Sequence, residues 1–326
     1  MRSIRKCNVC VVGGAGFLGS HLVDHLIDDR ECNVLVVDNL ISGRREFIHP
    51  KATFEYADIT GSETYLRELF AHHNIQFVFN YAAEPYIPVS FARPIHVFNI
   101  NAFGAMKVIN AAQEAGCEGI LQVSSAEIYG GCVSGKINED YPVCPHSTYG
   151  AAKAAIDNLI QVRWKEARTP CIALRQFNCL GPRETHSYIV PEVISQACNI
   201  LEEKASCFWL GNNSYRDFLY AGDAVRMACS LLEQGNFGEV YNLGSENGIK
   251  IYDLAKKIGH LMLEGNDIEI VEDPTRVRPW EIWHLQADCT KLYNTITERP
   301  TVSLDQALEK TIQYFWQIGA RWVWER

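Results

Sequence analysis

A short apolar run, Val9 to Val12, delivers the chain straight into Gly13-Gly14-Ala15-Gly16-Phe17-Leu18-Gly19, and an amphipathic stretch, Ser20 to Ile27, follows at once. Three glycines spaced G-x-x-G-x-x-G between a strand and a helix serve three separate needs. Gly13 permits the tight turn, Gly16 lets the backbone approach a pyrophosphate, and Gly19 lets the helix pack closely on the sheet. Phosphates would then meet free N–H groups and the positive end of the helix dipole. The second strand, Val34 to Val37, ends at Asp38, 19 residues past Gly19. A carboxylate there accepts hydrogen bonds from ribose hydroxyls and repels a 2′-phosphate, which favours NAD over NADP. Arg44 and Arg45 lie near enough in sequence to weaken that preference without reversing it.

The rhythm of strand and helix then repeats. Helix-like Ser62–His72, strand Phe77–Phe79, helix Ala102–Glu114, strand Gly119–Val123, helix Tyr149–Glu166 and strand Cys171–Leu174 follow in order. Apolar strands alternating with helices of this length indicate a parallel sheet covered on both faces. From Asn178 onward the rhythm loosens. Arg183–Tyr188 and Glu264–His284 read as loop-rich and polar, with helix-like stretches at Val193–Glu202, Tyr252–Leu263 and Leu304–Ile318, the last opening on a Ser303-x-x-Gln306 capping box. The fold class expected is α/β: a doubly wound parallel sheet (Rossmann) with a smaller mixed α/β substrate-binding lid.

Composition excludes several function classes. A net charge of −9 argues against a nucleic-acid partner, which requires a basic excess on one face. No apolar run approaches the ~20 residues that cross a bilayer, and no signal peptide is visible, so a soluble cytoplasmic protein is expected. The twelve cysteines have no framework spacing and read as free thiols, the Cys7/Cys10 pair included. His21 and His25 lack a third metal ligand and read as helix-surface residues. No metal is expected.

Tyr149 and Lys153 stand four residues apart, on one helical face. A free tyrosine is a poor base at neutral pH, with a pKa of ~10. A nearby ammonium and an oxidised nicotinamide would favour its phenolate, letting it take a proton from an alcohol while the carbon gives up hydride. The strand before this helix ends in Ser124-Ser125-Ala126-Glu127, placing a hydroxyl and a carboxylate at the edge where open α/β sheets bind ligands.

Taken together, these motifs resemble the extended short-chain dehydrogenase/reductases, specifically the NAD-dependent nucleotide-sugar epimerase/dehydratase family. The likeness runs through the glycine turn, Val37-Asp38-Asn39-Leu40, Asp58-Ile59, Tyr81-Ala82-Ala83, Ser124 to Gly130, Tyr149/Lys153, Arg175-Gln176-Phe177-Asn178, Gly181-Pro182-Arg183 and Tyr215-Arg216-Asp217-Phe218. It implies an NAD site formed by Gly13, Gly16, Phe17, Leu18, Gly19, Asp38, Asn39, Ser42, Gly43, Asp58, Ile59, Ala82, Ala83, Asn101, Ser124, Tyr149 and Lys153. It implies catalysis by Ser125, Glu127, Tyr149 and Lys153. Glu84, Tyr86, Ser125, Glu127, Asn178, Arg216 and Arg278 would bind a nucleotide-diphosphate sugar, the arginines gripping phosphate in bidentate forks; Arg276 is a further candidate for the sugar pocket. The implied division is a cofactor domain over 1–178, to which 217–243 returns, and a nucleotide-sugar-binding domain over 179–216 and 244–326.

Departures from the family pattern narrow the reaction. Simple 4-epimerases usually carry threonine or a small residue where Glu127 stands, whereas 4,6-dehydratases and uronic-acid decarboxylases usually carry the glutamate. Ala126 replaces the aspartate that protonates the leaving water in many dehydratases, and Ala154 replaces the arginine common in decarboxylases. The expected activity is a nucleotide-sugar 4,6-dehydratase. A 4-epimerase is the alternative, then a nucleotide-uronic acid decarboxylase, with a non-catalytic NAD-binding sensor as the reading outside enzymology. The resemblance also implies a homodimer through the helices around Ala102–Glu114 and Tyr149–Glu166, where Ala105, Ala111, Ala112, Ala151, Ala152, Ala154 and Ala155 would permit close approach. Trp280, Trp283, Trp316, Trp322 and Trp324 read as lid and terminal packing.

Overall fold

The structure, a computed structural model, describes residues 2–131, 134–263 and 268–319. Its strands are β1 (Asn8–Val12), β2 (Asn33–Asp38), β3 (Thr53–Tyr56), β4 (Phe77–Asn80), β5 (Gly119–Ser125), β6 (Cys171–Gln176) and β7 (Asn178–Leu180). These are followed by β8 (Cys207–Leu210), β9 (Tyr215–Tyr220), β10 (Val240–Leu243), β11 (Gly248–Lys250), β12 (Glu269–Glu272) and β13 (His284–Leu285). Seven of them form one parallel sheet in the order β10-β6-β5-β4-β1-β2-β3. The doubly wound arrangement read from the sequence is therefore present. The order reverses between β1 and β4, and the crevice at the carboxyl ends of those strands is where such sheets hold ligands.

Period-two alternation divides each central strand between two cores. Val9 and Val11 enter one hydrophobic cluster with Leu22, Leu26 and Ala228, whereas Cys10 and Val12 enter the other with Leu66, Phe70 and Val108. Helices seal both sides, and their starts are set locally. Ser62, Ser147 and Ser303 each cap a helix by accepting a backbone N–H, and Ser303 and Gln306 complete a capping box. Expected and observed spans agree closely, save that the helix ending at Glu114 is preceded by a wide π-helical turn, Asn99–Gly104.

A separate cluster, built on Phe208, Leu210, Leu254, Ile258, Leu308 and Phe315, gathers the helices Ile189–Leu201, Ile251–Met262 and Leu304–Ile318. Within it β8 and β12 pair in parallel, Phe208 opposite Ile270. β12 lies inside the loop-rich stretch 264–284 and is not singled out there by the sequence pattern; four residues of strand carry too little pattern to stand out in a polar stretch. Between the two bodies, β9 pairs with β7, β11 and β13.

The tryptophans depart from expectation as well. Trp280, Trp283 and Trp316 are 61–69% exposed rather than packed away, and Trp322 and Trp324 lie outside the described residues. The cysteines among the described residues are all free, and no metal-ligating cluster occurs among those residues. Ala105, Ala111, Ala112, Ala152 and Ala154 are already buried within the chain. No helix among the described residues is long and apolar enough to span a membrane.

Candidate active site

A cavity of about 360 Å³ opens at the carboxyl ends of β1, β4, β5 and β6. That size falls in the range of small-molecule sites. The glycine turn forms one wall. Gly13 has φ +79°, and a Cβ there would lie 2.5 Å from the Ala82 nitrogen. A Cβ on Gly19 would lie 2.1 Å from the Gly13 carbonyl oxygen, so only glycine lets the Phe17–Asp28 helix start this close to the sheet. At the end of β2, Asp38 accepts hydrogen bonds from the Ala15 N–H (3.0 Å) and the Leu40 N–H (2.8 Å). Burial raises its carboxyl, and those N–H groups pull it back.

Phe17, Leu18, Asn39, Ser42, Asp58, Ile59, Ala82 and Ala83 line the cavity with Gly13, Gly16, Gly19 and Asp38. Gly43 and Asn101 are not part of that lining. Gly43 sits behind Asp38, where a Cβ would lie 2.8 Å from Oδ1. Asn101 is fully buried, and its Nδ2 donates to the Glu84 and Val97 carbonyls, both at 3.0 Å. It therefore holds the backbone of a wall residue. Arg44 and Arg45 are also absent from the lining: Arg44 pairs with Glu46, and Arg45 lies over the Phe54 ring.

Ser124, Ser125, Glu127, Tyr149 and Lys153 share the opposite wall. β5 ends at Ser125, whose Oγ accepts the Glu127 N–H at 3.2 Å as the chain tightens into a single turn, Ala126–Tyr129. The Ser125 hydroxyl is also near enough to the Tyr149 phenol to favour its ionised form. Burial pushes the Tyr149 phenol up to about 12, with Glu127 and Glu84 adding to the rise and the Ser125 hydroxyl opposing it. Lys153 lies close to this phenol. Its Nζ lies 5.8 Å from the Tyr149 ring centre and donates to the Val123 carbonyl at 2.9 Å. Lys153 is itself pushed down from 10.5 to about 8 by burial, with Asp157 pulling the other way. Burial likewise raises the Glu127 carboxyl, and Arg278 and Arg216 counter it.

The third wall comes from the second body and its connections. Arg216 on β9 donates to Glu281 at 2.9 Å, and Arg278 Nη1 lies 3.6 Å from Glu127 Oε1. Asn178, Glu84 and Tyr86 line the same cavity. Arg276 does not, a correction to the sequence expectation: it is bound by Glu192 and by Asp273. His21 is half-buried on its helix, against the loop at Pro182. Its Nε2 lies 2.8 Å from the Pro182 carbonyl, and burial pushes it down from 6.5 to about 4. Sequence reading missed Gln176, Glu184 and Tyr188, which line the cavity too. Glu184 and Tyr188 belong to a stretch read as loop-rich and polar, and no local pattern marked them as buried.

Several cavity-lining polar atoms are buried without a protein partner, among them Asn178 Oδ1, Gln176 Oε1 and Glu184 Oε2. Buried polar groups are normally satisfied, so unmet ones converging on a cavity indicate a polar ligand. The glycine turn and Asp38 are chemically suited to a dinucleotide, and the arginines to phosphate.

A family model described as GDP-mannose 4,6 dehydratase matches residues 10–311. Over 325 residues the chain is 29% identical to a human dTDP-D-glucose 4,6-dehydratase, covering 96% of this chain and 91% of that protein. It is 30% identical over 270 residues to a UDP-glucose 4-epimerase of Streptococcus mutans, covering 77% and 81% of the two. Among solved structures, a dTDP-glucose 4,6-dehydratase from Bacillus anthracis strain Ames, in complex with NAD, superposes with a TM-score of 0.85 at 26% identity, over 97% of this chain and 98% of that one.

Proposed function

The chain belongs to the family described as GDP-mannose 4,6 dehydratase, and on that premise we propose that it is an NAD-dependent nucleotide-sugar 4,6-dehydratase. The observation that carries the reading is Glu127: a carboxyl that lines the same cavity as Tyr149 and Ser125, with proton affinity raised by burial. A base and acid at that edge suits removal of a proton beside a carbonyl followed by protonation of a leaving hydroxyl.

The glycine turn would hold the pyrophosphate of NAD and Asp38 its ribose hydroxyls. NAD, when bound, accepts and later returns the hydride, and its oxidised ring adds the positive charge that Tyr149 needs to ionise. Tyr149, assisted by Ser125, takes the proton from the sugar 4-hydroxyl. Glu127 then removes the proton from carbon 5, made acidic by the new 4-ketone, and donates a proton to the 6-hydroxyl as it leaves as water. Arg216, Arg278 and Asn178 hold the diphosphate. Return of the hydride to carbon 6 and delivery of a proton to carbon 5 of the resulting alkene would give a 4-keto-6-deoxy sugar.

One feature favours a second reading, 4-epimerisation: Ala126 supplies no acid beside Glu127. Incubation with dTDP-glucose, UDP-glucose and GDP-mannose, read by mass spectrometry, separates the readings. Loss of one water supports the dehydratase, and a new isomer of unchanged mass replaces it with the epimerase. Loss of carbon dioxide from a nucleotide uronic acid would assign decarboxylation instead. We also read the protein as a cytoplasmic homodimer. Ile95 and Phe103, near the proposed helical interface, are 85% and 59% exposed.

A further inference from the structure

One carboxyl on the cavity wall has no part in the scheme above. Glu184 lies in the connection between β7 and the Ile189–Leu201 helix, is only 4% exposed, and leaves Oε2 without a hydrogen-bond partner. No ion pair is formed by Glu184 among the described residues. Its placement is imposed by the residue before it. Arg183 adopts φ +67° and donates to Asp24 Oδ2 at 2.6 Å, with His21 Nδ1 at 3.2 Å. With His21 also on the Pro182 carbonyl, the loop is fixed to the Phe17–Asp28 helix. Arg183 is thereby turned toward that helix and Glu184 toward the cavity.

Burial pushes the Glu184 carboxyl well above its ordinary range, and only a Gly181 backbone hydrogen bond opposes this. A carboxyl that holds its proton can both donate and accept, whereas an ionised one can only accept. An unmet carboxyl oxygen at such depth is unfavourable for folding, as expected of a group retained for a ligand.

We propose that Glu184 is a specificity-determining residue whose carboxyl hydrogen-bonds a sugar hydroxyl that does not react. This rests on the dehydratase reading. In that reading the 4- and 6-hydroxyls react and the anomeric oxygen carries the diphosphate, which leaves the 2- and 3-hydroxyls for Glu184.

The test uses whichever of dTDP-glucose, UDP-glucose and GDP-mannose the wild type converts, with its 2-deoxy and 3-deoxy analogues. The wild type is expected to discriminate against one analogue. Glu184→Met should lower kcat/KM for the parent sugar about tenfold to a hundredfold and bring that analogue level with it. Glu184→Gln, which keeps a donor and an acceptor in the same shape, should retain most of the discrimination. The apo melting temperature of Glu184→Met should hold or rise. Unchanged discrimination in Glu184→Met overturns this proposal alone, and a fall of several degrees assigns Glu184 to the fold instead. Failure of the wild type on all three nucleotide sugars overturns both this proposal and the reading beneath it.

Discussion

Arg278 Nη1 lies 3.6 Å from Glu127 Oε1, so the cation proposed for the substrate diphosphate also faces the carboxylate proposed for proton transfer. Arg216 is engaged with Glu281 in the same wall. A diphosphate drawing Arg278 toward itself would leave Glu127 more strongly basic, because Arg278 is the larger of the two arginine influences holding its proton affinity down. Substrate binding and proton transfer would then be coupled through one side chain.

Replacing Arg278 by Met should therefore do two things. KM for the nucleotide sugar should rise, and the acidic limb of the kcat/KM profile, which reports the free enzyme, should move to higher pH. The sign follows from the base needing to be ionised: a higher pKa keeps it protonated to higher pH. A raised KM with an unmoved limb would separate the two roles.

Glu127→Gln should still oxidise the substrate while losing the elimination. On mixing with substrate, absorbance of reduced cofactor near 340 nm should build up, and formation of the 4-keto-6-deoxy product should fall by about 10²–10⁴-fold. Product formed at the normal rate would remove Glu127 from the mechanism.

Lys153 is predicted to trade stability for activity. Its ammonium is fully buried and pushed from 10.5 to about 8, which at 1.36 kcal/mol per unit costs the fold about 3 kcal/mol at pH 7. Lys153→Met should melt higher at pH 7 yet lose turnover. The Val123 carbonyl it vacates keeps the Gln122 side-chain amide at 2.9 Å. As pH rises from about 8 to 10.5, the wild-type native state sheds its proton before the unfolded chain does. Wild-type stability then increases, and the advantage of Lys153→Met shrinks. Calorimetry at pH 7 and pH 10 checks this.

His21 supplies the opposite lever, on the acid side. Its folded-state pKa of about 4 lies below the unfolded 6.5, so its stabilising contribution is complete above 6.5. That contribution is lost as pH falls toward 4, by about 3 kcal/mol in all. His21→Asn should flatten the stability profile across that window, measured as chemical-denaturation midpoints at pH 7 and 4.5.

Phe103→Glu should convert the proposed dimer to monomer in sedimentation experiments, since a charge on a 59% exposed aromatic is tolerated in an isolated chain but not in an apolar interface. A monomeric wild type would overturn the dimer reading.

What the sequence disclosed was whatever it encodes locally. The glycine turn, Asp38 at its strand end and the Tyr149/Lys153 pair each depend on residues within one turn or one strand. The Ser303–Gln306 box likewise fixes a helix start within four residues. What stayed hidden was set by distant partners. Glu184 is buried because a loop is fixed to another helix, Arg276 is drawn off by Glu192, and β12 is strand only because β8 lies beside it. The π-helical turn at Asn99–Gly104 likewise has no marker in its composition.

The anchoring of Pro182 and Arg183 on His21 and Asp24 bears on any effort to retarget this scaffold. A foreign segment grafted over 181–188 alone would arrive without its moorings, because half of the attachment belongs to the helix that begins at the glycine turn. Sugar preference and cofactor grip should therefore be inherited as a unit, and exchanged successfully only when both stretches travel together.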